Sequence, residues 1–146
     1  MAGSETAPLG SPSSFGNTIF STTTLAASAS GAKLPGVEKY TSALFQLGVG
    51  TVTGTSPTLD VFIQTLLPDG STWQDILAFT QVTSSTSSQK GWFVSGAASV
   101  AVVKTEALAA ATAEPIGLGN YIRVRCKVGG TNPSFGNVVV YANFYE

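Results

Sequence analysis

Residues 121–128, with the sequence YIRVRCKV, alternate between two kinds of side chain along the whole stretch. The polar and basic members take one set of alternate positions: Tyr121, Arg123, Arg125 and Lys127. The apolar members take the other: Ile122, Val124, Cys126 and Val128. Because successive side chains of a β-strand point to opposite faces, the pattern predicts a strand with one face in the core and one toward solvent. Cys126 falls on the apolar face, where an unreactive core thiol is expected.

Similar runs with period two flank this stretch and predict further strands. They cover residues 20–26, 43–49, 59–67, 73–81, 90–95 and 137–145. Turn residues separate the runs at fairly regular intervals, as in antiparallel folds built from short strands. The sequence therefore predicts an all-β fold, an antiparallel β-sandwich or jelly roll.

Two connections between predicted strands resemble each other, GTSPTL at 54–59 and GTNPSF at 130–135. Proline presets the φ angle of a tight turn, and glycine relieves the steric limit just before it. Both connections are therefore predicted to be hairpin turns. Their likeness indicates either an internal pseudo-symmetry or the same turn chemistry used twice.

Two regions depart from the strand pattern. Residues 1–36 are rich in Ser, Thr, Ala, Gly and Pro, with only Glu5 and Lys33 charged, and are predicted to form an extended N-terminal arm beside a β-sandwich domain at 37–146. Residues 98–118 are predicted to form a short inserted flap, with a short helix at 105–111. The apolar residues of the arm are its candidate anchors on a partner: Leu9, Phe15, Ile19, Phe20 and Leu25.

The composition argues against several classes of function. The 146 residues include 7 Lys+Arg, 8 Asp+Glu, no His and one Cys, for a net charge of −1. Nucleic acid is not an expected partner, because phosphate neutralisation needs clustered cations. Without His, Ser-His and Cys-His systems and the usual zinc sets cannot be assembled, so we expect neither an enzyme nor a bound cofactor. No apolar run approaches the ~20 residues of a membrane-spanning helix, so no membrane association is expected.

Three carboxylates lie near one another in the sequence: Asp60, Asp69 and Asp75. Asp69-Gly70 is a dipeptide typical of hairpin turns. Asp60 and Asp75 fall within predicted strands and are expected to face solvent. Since the spacing matches no calcium-binding loop, no metal site is predicted.

Two further features allow both a functional and a structural interpretation. The basic stripe of Arg123, Arg125 and Lys127 suits an acidic surface on a partner protein, although a solvated strand face often carries such residues. Trp73 and Trp92 suit stacking against sugar rings, although buried aromatic side chains are commoner in sandwiches.

Taken together, several stretches resemble small β-sandwich virion proteins of tailed bacteriophages. The resemblance is carried by residues 54–65, 68–73, 79–81, 121–125 and 130–135. Within that group, an extended arm on a compact β body is similar to capsid decoration or cement proteins, which sit as trimers on the outer shell. The stretches hold turn and strand patterns without catalytic content.

The resemblance implies a structural protein of the virion, made in the host cytoplasm and placed on the outer capsid surface. Its partners would be the major capsid protein and further copies of itself in a trimer, and the arm would staple neighbouring capsid subunits. The alternative is a carbohydrate- or receptor-binding β-sandwich module in a head fibre or tail, which Trp73 and Trp92 favour.

Overall fold

The computed structural model describes residues 17–84, 87–94, 106, 108–113 and 117–146, with the backbone alone at 87, 88 and 92–94. These residues form nine β-strands and no helix. The strands are β1 (Asn17–Leu25), β2 (Ala29–Ser30), β3 (Leu34–Pro35), β4 (Ser42–Val49), β5 (Val52–Leu66), β6 (Trp73–Ala78), β7 (Ser87–Val94), β8 (Thr112–Ala113) and β9 (Tyr121–Tyr145). The prediction of an all-β antiparallel fold is confirmed.

The centre of the fold is β9, a strand of 25 residues. Along one of its edges, β4 pairs with residues 139–145 and β5 with residues 122–135. Gly50 and Thr51 continue the ladder between them, since the Gly50 amide donates to the Gly136 carbonyl and the Gly136 amide donates to the Thr51 carbonyl. Along the other edge lie β1, β2 and β3. The segments predicted as separate strands at 121–128 and 137–145 are thus two halves of one strand.

The sheet curls until its two ends approach each other, so its shape is nearly that of a barrel. Its strand order is β7-β4-β9-β5-β6-β8. The Gln89 side chain on β7 bridges the ends, accepting a hydrogen bond from the Thr80 amide at 2.8 Å and donating one to the Thr80 carbonyl at 2.9 Å. A cleft of about 260 Å³ lies along this seam, between Leu77 and Gly91.

The inner face of the sheet holds the core. It is built from apolar residues of the central strands β4, β5 and β9, which are fully or almost fully buried: Ala43, Phe45, Leu47, Leu59, Val61, Ile63, Ile122, Val124, Cys126, Phe135, Val138, Val140 and Phe144. The Phe45 and Phe144 rings pack edge to face with centroids 6.0 Å apart. Burial raises the pKa of the Cys126 thiol to about 12, so the predicted core thiol stays protonated at neutral pH.

The prediction of two hairpin turns at 54–59 and 130–135 is wrong. Thr55 pairs with Thr131, so the two similar segments lie opposite each other inside the β5–β9 ladder. The ladder is irregular between Thr53 and Thr55 and between Thr55 and Thr58, which identifies the segments as β-bulges. Gly and Pro therefore bend two paired strands here instead of ending them.

The two bulges match in backbone geometry as well as in sequence. Gly54 and Gly130 have φ angles of 113° and 107°, and Ser56 and Asn132 both have 49°. Each glycine abuts the opposite bulge, because a Cβ at Gly54 would lie 2.7 Å from the Asn132 oxygen and one at Gly130 would lie 2.6 Å from the Ser56 oxygen. The segments are thus related by a local two-fold pseudo-symmetry.

Residues 17–36 belong to the sheet. They follow one edge of β9 as β1, β2 and β3, extended as predicted for the arm but held by the body of the same molecule. The predicted boundary at residue 36 thus does not separate a free arm from the domain, and residues 1–16 lie outside the described part.

The predicted flap at 98–118 is described at 106, 108–113, 117 and 118. These residues form turns and the short strand β8, and Glu106 and Ala111 have φ angles of 60° and 62°, which no right-handed helix contains. The described residues thus do not form the helix expected at 105–111.

Candidate interaction surface

The outer face of the sheet differs between the two halves of β9. Beside the first half, a polar row crosses three strands: Asp75 on β6, Gln64 on β5 and Arg123 on β9. The Gln64 amide donates to Asp75 Oδ1 at 2.9 Å, and Arg123 Nε donates to Gln64 Oε1 at 2.8 Å. Asp75 and Gln64 are fully buried, so the expectation that Asp75 faces solvent is wrong.

The described residues 106 and 108–113, which we call the cover segment, contact this part of the outer face. The Leu108 amide donates to Asp75 Oδ2 at 3.2 Å, so the carboxylate holds both a neighbouring strand and the cover. A buried carboxylate needs such donors, because an unpaired one carries a large desolvation cost. Asp75 is therefore a structural residue that fixes the cover segment to the sheet.

The basic stripe is largely engaged within the molecule. The Arg123 guanidinium lies 4.5 Å from the centre of the Trp73 ring, and its pKa is lowered by burial and by the nearby charge of Arg125. Arg125 forms an ion pair of 2.9 Å with Glu106 of the cover segment and donates to the Ser30 hydroxyl at 3.2 Å. Lys127 is exposed, the most accessible cation of the three.

Beside the second half of β9, the outward-pointing side chains of β4 and β9 are uncharged and open, and Lys90 of β7, which lies opposite Gln46, borders them. We call this surface the neutral face, and it consists of the outward-pointing residues of β4 and β9: Leu44, Gln46, Val139, Tyr141, Asn143 and Tyr145. Tyr141 and Tyr145 are the two exposed large hydrophobic side chains of the described residues, at 39% and 41% of their full exposure. Tyrosine suits protein interfaces because it combines a large apolar ring with a hydrogen-bonding hydroxyl.

Three of the five arm residues predicted to anchor a partner lie in or against the core of the protein's own body. Ile19 and Leu25 are buried in the protein's own core, and Phe20 packs partly buried against it. These side chains stabilise the body and are not exposed to a partner in this conformation. Leu9 and Phe15 lie outside the described residues.

An open groove of about 450 Å³ lies at the end of the β5–β6 hairpin, between Leu67 and Tyr121. Asp69 forms the predicted turn by accepting hydrogen bonds from the amides of Ser71 and Thr72 and from the Thr72 hydroxyl, which hold its pKa at about 2. Lys33 Nζ lies 4.5 Å from the centre of the Tyr121 ring. Among the described residues, the groove thus offers one aromatic side chain, Tyr121, to a ligand.

Sequence reasoning missed the neutral face. A strand pattern tells which side chains point outward but not which of them another segment covers. A usable signal was present, because the outward positions 139, 141, 143 and 145 hold no charge whereas 123, 125 and 127 are all basic.

The described residues contain no group of three or more His, Cys, Asp or Glu that could hold a metal ion. In the same part of the chain, no helix is long and apolar enough to cross a membrane. Comparison with protein-family models, curated proteins and solved structures finds no match to this chain.

Proposed function

We propose that this chain is a non-catalytic structural protein of a tailed-phage virion, a decoration or cement protein that binds the major capsid protein on the outside of the head. The observation that carries the proposal is the neutral face, an uncharged sheet surface with two exposed tyrosines. A chain with 10% charged residues is itself poorly protected against association through such a surface.

The neutral face suits a protein surface better than a charged ligand. It offers ring edges, two amides and aliphatic side chains, which give apolar contact and neutral hydrogen bonds to a partner. The affinity of capsid binding through this uncharged face would depend less on salt concentration than the affinity of a contact through the basic stripe. Two of the three basic side chains of that stripe are already engaged with Trp73 and Glu106.

The position of the N-terminal segment also favours the neutral face as the binding surface. Asn17 pairs with Ala142 and Thr18 with Tyr141, so the chain of residues 1–16 joins the sheet at the neutral face. Sixteen extended residues reach at most about 55 Å, which extends this segment well beyond the neutral face itself. We propose that Leu9 and Phe15 contribute to capsid binding from this segment.

A carbohydrate-binding module is the second candidate, and the groove beside Tyr121 favours it. Stacking of a sugar ring usually draws on more than one aromatic surface, and Trp73 faces the Arg123 guanidinium instead of the groove. The Trp92 side chain lies outside the described residues. The capsid proposal is therefore the better supported of the two.

The direct test is the copy number of this chain in purified virions of its source, measured by quantitative mass spectrometry against the major capsid protein. A ratio near one is expected for a protein that covers the shell. A few copies per particle would indicate a fibre, neck or tail component instead, and absence from particles would overturn the proposal.

A further inference from the structure

Within the described residues, strand β1 forms an open edge of the sheet. It pairs with β9 along one side, and no other strand of the described residues pairs with its second side. In an antiparallel pair, about half of a strand's N–H and C=O groups point away from the partner. The nine residues of β1 therefore present a row of backbone donors and acceptors at the sheet edge.

This edge lacks the features that usually prevent strands from pairing between molecules. Its sequence, NTIFSTTTL, contains no charge, no proline and no glycine. Natural edge strands are commonly protected by inward-pointing charges, lysines, prolines or strong bulges. The irregularity of β1 is confined to its start, between Thr18 and Phe20, and from Phe20 to Leu25 the register with β9 is regular.

We propose that β1 pairs with β1 of a second copy of this chain, antiparallel and about a two-fold axis. An uncharged strand opposes its own copy without like-charge repulsion, and threonine pairs across strands are favourable. Because Thr18 pairs with Tyr141 and Ser21 with Val139, such pairing would join the neutral faces of two molecules into one continuous surface. It yields a dimer in place of the trimer that the resemblance implies, and it stands whether or not the partner of the neutral face is a capsid.

The proposal is tested by the molar mass of the full chain in solution, measured by light scattering across a wide range of concentration. We expect a dimer for the wild type and a monomer for Thr23→Lys. Pairing of the regular stretch from Phe20 to Leu25 with its own copy centres the two-fold axis beside the exposed Thr23, so the two added lysines would repel each other across it. The control is Thr83→Lys, which adds the same charge at an exposed position outside the strands and should stay dimeric. Circular dichroism shows whether both variants remain folded.

A monomeric or trimeric wild type would overturn the proposal, as would a folded Thr23→Lys variant that remains a dimer. If Thr23→Lys does not fold, hydrogen exchange of the wild type decides. Slower exchange of β1 amides at high concentration supports pairing, and exchange that does not depend on concentration contradicts it. Deletion of residues 1–16 should leave the dimer intact, whereas its loss would assign the association to that segment.

Discussion

The two halves of β9 share one strand and one alternating pattern, yet their outer faces differ. The first half carries Arg123, Arg125 and Lys127, and the cover segment lies over part of it. The second half carries Tyr141 and Tyr145 and is open. Most of the polar and charged groups near β9 thus hold the molecule itself together, and an uncharged surface is left for contact with others.

The matched bulges stand at the boundary between these halves. A bulge increases the local twist and bends the strand. The two halves of β9 therefore run in different directions on either side of Gly130 and its neighbours. The opposite bulge in β5 bends the partner strand at the same place. The two halves can therefore differ in surroundings without a break in the ladder.

The largest loss of stability is expected from the substitution Asp75→Ala, beside the first half of β9. It leaves the Gln64 amide and the Leu108 amide without their acceptor inside the protein. At roughly 2 kcal/mol for each buried unpaired donor, we expect a loss of about 4 kcal/mol in the free energy of unfolding, measured by chemical denaturation.

The matched control is Asp60→Ala. Asp60 also lies on a strand but accepts its hydrogen bonds from the exposed Gln81 side chain, so a loss below about 1 kcal/mol is expected. Equal losses for the two variants would contradict the structural role assigned to the polar row.

The boundary between the halves is tested by Gly54→Ala and Gly130→Ala. Each adds a Cβ within 3 Å of the opposite backbone at a φ angle that only glycine adopts readily. We expect each to cost about 3 kcal/mol, and the two losses to be similar because the bulges match.

Gly36→Ala separates the clash from the backbone strain. Gly36 has a φ angle of 80° but no atom within 4 Å of an added Cβ, so a cost of about 1 kcal/mol is expected. If Gly54→Ala and Gly130→Ala lower the free energy of unfolding by clearly different amounts, the two bulges match in geometry but not in their contribution to stability.

A smaller effect is expected from the ion pair that ties the cover segment to β9. Arg125 and Glu106 are both partly exposed, so their coupling should be about 0.5 kcal/mol and should fall as salt is added. A double-mutant cycle with Arg125→Met and Glu106→Gln measures it. A coupling several times larger would mean that this pair, more than Asp75, holds the cover.

The smallest effect belongs to the hairpin turn next to the covered half. The pKa of Asp69 is about 2 in the folded protein against 3.8 for a free side chain. Its contribution to stability is therefore present above pH 3.8 and is lost as the pH falls through 2. Titration of the Asp69 carboxyl by NMR should give the low pKa, and Asp69→Asn should remove this part of the acid sensitivity; an ordinary pKa would contradict the turn geometry.

The sequence was sufficient to place the longer strands, apart from the middle of β9 and the start of β5, and to identify the inward set of residues 121–128. Period two assigns side chains to a face, and the burial of Ile122, Val124 and Cys126 follows from it. It was not sufficient for the glycine-proline segments, because a bulge and a tight turn use the same residues and only pairing across the sheet tells them apart.

The candidate sites were harder to predict. Asp75 alternates like a solvent-facing residue, yet it is buried and accepts a hydrogen bond from Leu108, more than thirty positions away in sequence. Ile19 and Leu25 are apolar in a polar stretch, which suits an anchor on a partner as well as the strand in the protein's own sheet that they form. In both cases the deciding contacts are long-range and leave no local pattern.

Binding of purified protein to heads that lack it tests whether the neutral face, and not the basic stripe, contacts the capsid as proposed. Tyr141→Glu places a charge on the open half of β9, and Lys127→Glu places one on the outer face of the other half. If the neutral face binds the capsid, we expect Tyr141→Glu to weaken head binding at least about tenfold, or about 1.4 kcal/mol, and Lys127→Glu to bind like the wild type. Unchanged binding by a folded Tyr141→Glu variant, or a comparable loss for Lys127→Glu, would contradict it.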